Sequence, residues 1–176
     1  DTDAGEHPVD IDRFHDNVIN RFKWGGVKEN KDYYADETIR RMIGTHRNLI
    51  AQLATDMLNS EEEDARIVAV LEKAYNEFPE ETVAYDALRD NTIALADVYN
   101  IVYQVQRDYK NEIEKSANED PIRQAVLQEL FLGNDTLAML KERRNKIANS
   151  VLKNELEHIT WYNTLITDYT DLSFAF

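Results

Sequence analysis

The chain has 176 residues, 43% hydrophobic and 31% charged, and its 34 acidic and 20 basic side chains give a formal net charge of -14. That sign excludes a nucleic-acid or anionic-membrane surface as the main partner, because a field of like charge opposes association. The absence of cysteine (0 Cys) excludes disulfides, thiolate zinc sites and cysteine nucleophiles, and only 5 Gly and 3 Pro leave little room for strands and turns, so the composition reads as all-α.

In chain order, the first seven residues are acidic and polar without a core pattern. Asp10 offers a cap for a short helix whose apolar stripe is Phe14, Val18, Ile19 and Phe22, stopped by Gly25-Gly26. Residues 1–31 therefore read as an N-terminal segment with a short helix and a Gly-rich turn, and 32–176 as a helical-hairpin domain. Phe22 and Trp24 beside two glycines suit a stacking surface for a sugar or peptide, or a plug for the end of the first hairpin.

That hairpin opens after Asp32 or Asp36, either of which can cap. Ile39, Met42, Ile43, Leu49, Ile50, Leu53, Met57 and Leu58 then recur at helical spacing and are expected to be buried. Ser60 begins a Ser-Glu-Glu-Glu capping box, with Glu63 reaching back, for a second helix that buries Ile67, Val70, Leu71, Ala74 and Phe78. Pro79 ends it. Counted back from Pro79, the positions of Ala74, Leu71, Ile67 and Leu58 match a tetratricopeptide-type unit, although its signature Trp and Leu-Gly positions are not filled. A third helical pattern runs from Thr82 to Ala117 through Leu88, Leu95, Val98, Tyr99, Val102, Val105, Tyr109 and Ile113. Asp120 and Pro121 open a short helix through Ile122, Ala125, Val126, Leu130 and Phe131, which Gly133 stops. Asn134-Asp135 caps a last long helix carrying Leu137, Leu140, Ile147, Val151, Ile159, Tyr162 and Leu165. The basic run from Lys141 to Lys146 reads as a solvated face that pairs with acids of neighbouring helices. The sum is a bundle or array of about six helices in hairpins, with residues 36–59 antiparallel to 61–78.

Little in this pattern carries chemistry. The four histidines, His7, His15, His46 and His158, fall in no metal-binding spacing, so neither metal nor cofactor is expected. No acid pair, GxSxG, phosphate loop or GxGxxG stands out, and the fragment reads as non-catalytic. The concentration that stands out is Arg40, Arg41, His46 and Arg47, in which Arg40 and Arg47 straddle Gly44 on one helix face. Arginines so placed suit bidentate binding of a carboxylate or phosphate, or else tie the helix to the loop before it. With Trp24 they form the candidate binding set.

Several motifs also carry a resemblance: Phe22-Lys23-Trp24-Gly25-Gly26, Tyr34, Asp36-Glu37, Arg41-Met42, Thr45 to Leu49, Ala51 to Ala54, Pro79 and Val83 to Asp86, with a weaker return at Thr160 to Tyr162. Together they resemble the C-terminal soluble region of a family of large multi-span membrane proteins common in Bacteroidota and similar to protein O-mannosyltransferases of the GT-C class. The resemblance implies an extracytoplasmic, periplasmic helical domain tethered to the inner membrane through an N-terminal membrane part that holds the catalytic residues. Its role would be to assist acceptor binding or organise the complex, with a protein, a peptide or the parent's own membrane domain as partner. The start at Asp1-Thr2-Asp3 fits an excised segment, and no apolar run in it reaches the length that spans a bilayer. The competing expectation is a free-standing helical-repeat adaptor that binds a peptide in its groove.

Overall fold

The structure, a computed structural model, describes residues 9–29, 34–85, 92–116 and 120–173, and among these the side chains other than those of 92, 93, 158, 162 and 165–173. The described residues form six α-helices and no strand: α1 Ile11–Asp16, α2 Glu37–Asn59, α3 Asp64–Glu77, α4 Thr92–Ser116, α5 Pro121–Leu130 and α6 Asn134–Ser173. Three starts follow from the aspartates singled out by sequence, because each carboxylate accepts a backbone N–H that the first turn leaves unpaired. Asp10 accepts from Arg13 at 3.0 Å, Asp36 from Ile39 at 2.8 Å and Asp120 from Arg123 at 3.0 Å. Asp32 lies outside the described residues.

The helices enclose one core. Ile50, Leu53 and Met57 of α2, Ile67 and Leu71 of α3, Leu95, Tyr99 and Val102 of α4, and Leu140 and Ile147 of α6 are all buried in it. Val18 and Val27 belong to the same cluster, so the N-terminal segment packs as part of the bundle. α6 runs antiparallel to α4: Leu132 N–H donates to Gln106 near one end, and Arg144 donates to Asn100 further along. The Lys141 to Lys146 cluster ties α6 to α3 and the turn after it. Arg143 stands 3.4 Å from Glu72 and 4.0 Å over the Tyr75 ring, and Lys146 stands 3.2 Å from Glu81. Glu72 also accepts the Tyr99 hydroxyl at 3.1 Å, and burial, with that carboxylate beside it, holds the Tyr99 pKa well above its ordinary value.

Four expectations are corrected. Met42 and Leu49 are 56% and 43% exposed, because they stand at the edge of the α2 stripe where no described helix covers them. Residues 82–85, expected in the third helix, belong instead to a turn whose carbonyls are claimed by other side chains, and the helix is described from Thr92; Leu88 lies outside the described residues. α5 buries none of its residues, and Ile122 is 79% exposed. α6 starts at Asn134, so Asn134-Asp135 is its first turn rather than a cap, and Leu137 N–H bonds to Gly133 carbonyl at 3.1 Å. Of its expected apolar face, Leu140, Ile147 and Val151 are buried but Ile159 is exposed; Tyr162 and Leu165 lie outside the described side chains.

The fifth correction has an energetic consequence. Ser60 ends α2 instead of opening α3, whose cap residue Glu63 makes no side-chain capping bond. Glu61 takes a left-handed φ of 55°, Glu61 N–H bonds to Leu58 carbonyl at 3.2 Å and Glu62 N–H to Met57 carbonyl at 3.0 Å. This pair of bonds is a Schellman C-cap with glutamate where glycine is usual. A side chain there costs about 1 kcal/mol relative to glycine, so Glu61→Gly is expected to raise the unfolding free energy by about that amount in a urea titration.

α1 docks by packing Ile11 and Phe14 against the core, with an ion pair at its rim. Arg66 of α3 pairs with Asp12 at 2.7 Å and with Glu62. Beside them His15 is half-buried, and its Nε2 is buried with no hydrogen-bond partner. Burial first, and the Arg66 charge second, lower the His15 pKa against the opposing pull of Glu62, Asp12 and Asp16. The neutral ring therefore stabilises the fold above the unfolded value of about 6.5, and that contribution is lost as pH falls below it. His15→Gln is expected to flatten the fall in melting temperature on acidification through this range.

Candidate functional site

The aromatic residues before the glycine pair build a recess. Gly25 and Gly26 take φ of 75° and 72°, conformations that side chains rarely adopt, and a Cβ on Gly26 would meet Glu29 Oε2 at 3.0 Å. The reversal they make lays Trp24 back over α2 and the end of α3. The turn that follows is strapped down twice. Val27 is buried, and Lys28 donates at 2.7 Å to Glu77, a 5% exposed carboxylate that Lys73 also meets at 3.1 Å. Burial raises the Glu77 pKa, but the two lysine hydrogen bonds outweigh it and leave the carboxyl below its ordinary value.

The half-buried Trp24 ring meets Phe78 edge-on at 5.4 Å, His46 at 5.9 Å and Phe22 at 5.5 Å. These are the separations at which aromatic quadrupoles attract. Between Trp24, Phe78 and the Ile39–His46 stretch of α2 lies a space of about 240 Å³, floored by Val27 and Ile43, with Met42 and Lys23 at its lip. Trp24 Nε1 is buried without a hydrogen-bond partner. His46 Nδ1 is 2.7 Å from Met42 carbonyl, which can only accept, so the proton sits on Nδ1 and neutral His46 keeps Nε2 as an acceptor. The recess can hold an apolar or aromatic group and offers that group few polar partners.

Of the sequence-derived candidates, the structure brings together Trp24 and His46 only. Arg47 is 1% exposed and its guanidinium is committed inward, to the carbonyls of Phe78 at 2.8 Å, Val83 at 2.7 Å and Ala84 at 3.2 Å, and over the Tyr85 ring at 4.3 Å. It therefore faces no ligand, and the expected pairing with Arg40 across Gly44 does not form a binding face. Arg40 is exposed and donates from Nε to Ala35 carbonyl at 2.9 Å, and Arg41 is exposed two positions from Ile43, hence on the far side of α2 from the recess. Ile39, Met42, Ile43 and Phe78 are the recess residues that the apolar spacing assigned to the core.

Helices and recess together define an all-α bundle with an aromatic-walled apolar site. The chain matches no family model, no curated protein and no solved structure. Among the described residues no three His, Asp or Glu side chains gather as a metal site, and no helix is long and apolar enough to cross a membrane.

Proposed function

We propose that this chain is a non-catalytic helical interaction domain that seats an apolar side chain of a protein or peptide partner in the Trp24 recess. The recess itself carries the reading: protein interiors are close-packed, and a concave, mostly apolar space walled by aromatic rings is the usual form of a binding pocket. Trp24, Met42 and His46, which surround it, fall inside the stretch that resembles the membrane-embedded O-mannosyltransferase-like family. That overlap supports an extracytoplasmic setting in which the domain holds acceptor polypeptide or the parent's own membrane part. The repeat-like spacing of the α2–α3 hairpin is shared with tetratricopeptide-type peptide binders.

A photo-crosslinker in place of the lip residue Lys23, in the intact parent protein in its own membrane, tests this. The expected product joins the domain to a secreted polypeptide or to the membrane part, and Met42→Glu abolishes it while leaving the melting temperature unchanged, because Met42 is 56% exposed. A product with a soluble protein away from any membrane would favour the free-standing adaptor, and no product at all would overturn the interaction reading.

A further inference from the structure

The 34 acids of the chain are unevenly spread. Residues 17–28 and 38–55, the two stretches that supply all of the Trp24 recess except Phe78, contain no Asp or Glu, and the second is the longest acid-free run in the sequence. The acids at the recess end of these stretches are engaged elsewhere. Asp16 pairs with Arg21 at 2.7 Å, Asp36 accepts the Ile39 N–H at 2.8 Å, and Glu37 is partnered too. Glu77, beside Phe78, is met by both Lys28 and Lys73. The Glu77 hydrogen bond first, and the Glu29 charge with it, raise the Lys28 pKa, so Glu29 acts on that lysine as well. Glu80 and Glu81, past Phe78 in the chain, face Lys146 at 3.8 and 3.2 Å. Lys23 differs from all of these cations. It stands exposed at the lip of the recess, and its ammonium has no partner among the described residues.

We infer that the polypeptide seated in the recess is acidic: beside its apolar anchor it carries an Asp or Glu that pairs with Lys23. This rests on the recess reading proposed above and adds to it the charge of the partner. The net charge of -14 does not oppose it, because exposed charges farther off than the Debye length of about 8 Å are largely screened, and within that range Lys23 is the charge left uncompensated. Affinity comes from burying the anchor against Trp24, Phe78 and Met42. The carboxylate selects among apolar segments, because a Lys or Arg in its place would stand against Lys23.

Random peptides displayed on phage and panned against the full chain test this, with Met42→Glu and Lys23→Glu chains panned in parallel. Both variants change exposed residues and are expected to melt as the parent does. Peptides bound by the parent and lost with Met42→Glu are expected to share an apolar residue with Asp or Glu beside it. Lys23→Glu turns attraction into repulsion, so it should weaken the same peptides about tenfold, with the gap closing at high salt, and should select Lys or Arg flanks instead. A neutral residue at 23 loses only the attraction, about threefold, so the crosslinking described above still reports on the anchor. Met42-dependent peptides with neutral or basic flanks, or acidic ones indifferent to Lys23→Glu, overturn the acidic partner while the recess reading stands. If no selected peptide depends on Met42, the recess reading falls and this inference with it.

Discussion

Arg47→Met is expected to lower the unfolding free energy by about 4 kcal/mol, and hence the melting temperature by roughly 8 to 16 °C for a chain of this size. Methionine keeps most of the unbranched stem, so the loss measured is not mainly a cavity. It is the orphaning of three carbonyls, Phe78, Val83 and Ala84, that a single guanidinium serves, together with the stacking over Tyr85. Each unpaired acceptor costs about 1 to 3 kcal/mol, discounted here because two of the three bonds are only partly buried. Arg47→Lys is expected to recover less than half, since a compact ammonium cannot reach three acceptors and lie over a ring at once. Arg40→Ala, on an exposed residue with one backbone bond, should change the melt little. Urea unfolding followed by circular dichroism decides the matter, and an Arg47→Met variant within about 1 kcal/mol of the parent would sink this account.

The second large effect is expected at Gln106, which is 0% exposed and joins three elements. Its Nε2 donates to Asp64 at 2.7 Å and to Leu130 carbonyl at 3.2 Å, and its Oε1 accepts Leu132 N–H at 2.7 Å. Gln106→Leu keeps the volume and removes all three bonds, so it should cost about 3 kcal/mol. Gln106→Glu offers the sharper test. It sets a second carboxylate against Asp64, so it should destabilise more at neutral pH and recover as acid protonates one of the pair. If the leucine variant unfolds at the parent's urea midpoint, the hub does not hold the junction of α3, α4 and the end of α5.

The helices themselves were legible because burial follows period: Ile43, Ile50, Leu53 and Met57 recur at threes, fours and sevens, and all four are in the core. Less legible was what tertiary packing decides. The α5 positions Ile122, Val126 and Leu130 have the right spacing to be buried, but their side chains stay exposed. Glu61 defeated the capping-box reading because the Ser-Glu-Glu-Glu run ends one helix as naturally as it starts another, and only the backbone conformation tells them apart. For the site, Trp24 beside two glycines was a usable signal, whereas Phe78 and Met42 became recess walls through the path of the preceding loop. A signal for Arg47 was present but misread: it stands four residues after Ile43 and three before Ile50, inside the apolar stripe. A cation at such a position marks a buried ion with backbone acceptors sooner than a ligand site. Gln106, four residues after Val102, follows the same rule.

The turn after α3 is gripped from both directions along the chain. Arg47 holds it from residues 31 to 37 positions away, and Asn154 holds the Tyr85 carbonyl from 69 positions away. Doubling a loop adds only about 0.6 kcal/mol of closure entropy, so chain statistics barely distinguish the two grips. Emergence does distinguish them, since Arg47 and all its acceptors leave the ribosome long before Asn154 exists. The growing chain can therefore lock this turn with its own earlier half, and α6 arrives at a ready-made carbonyl instead of having to shape one.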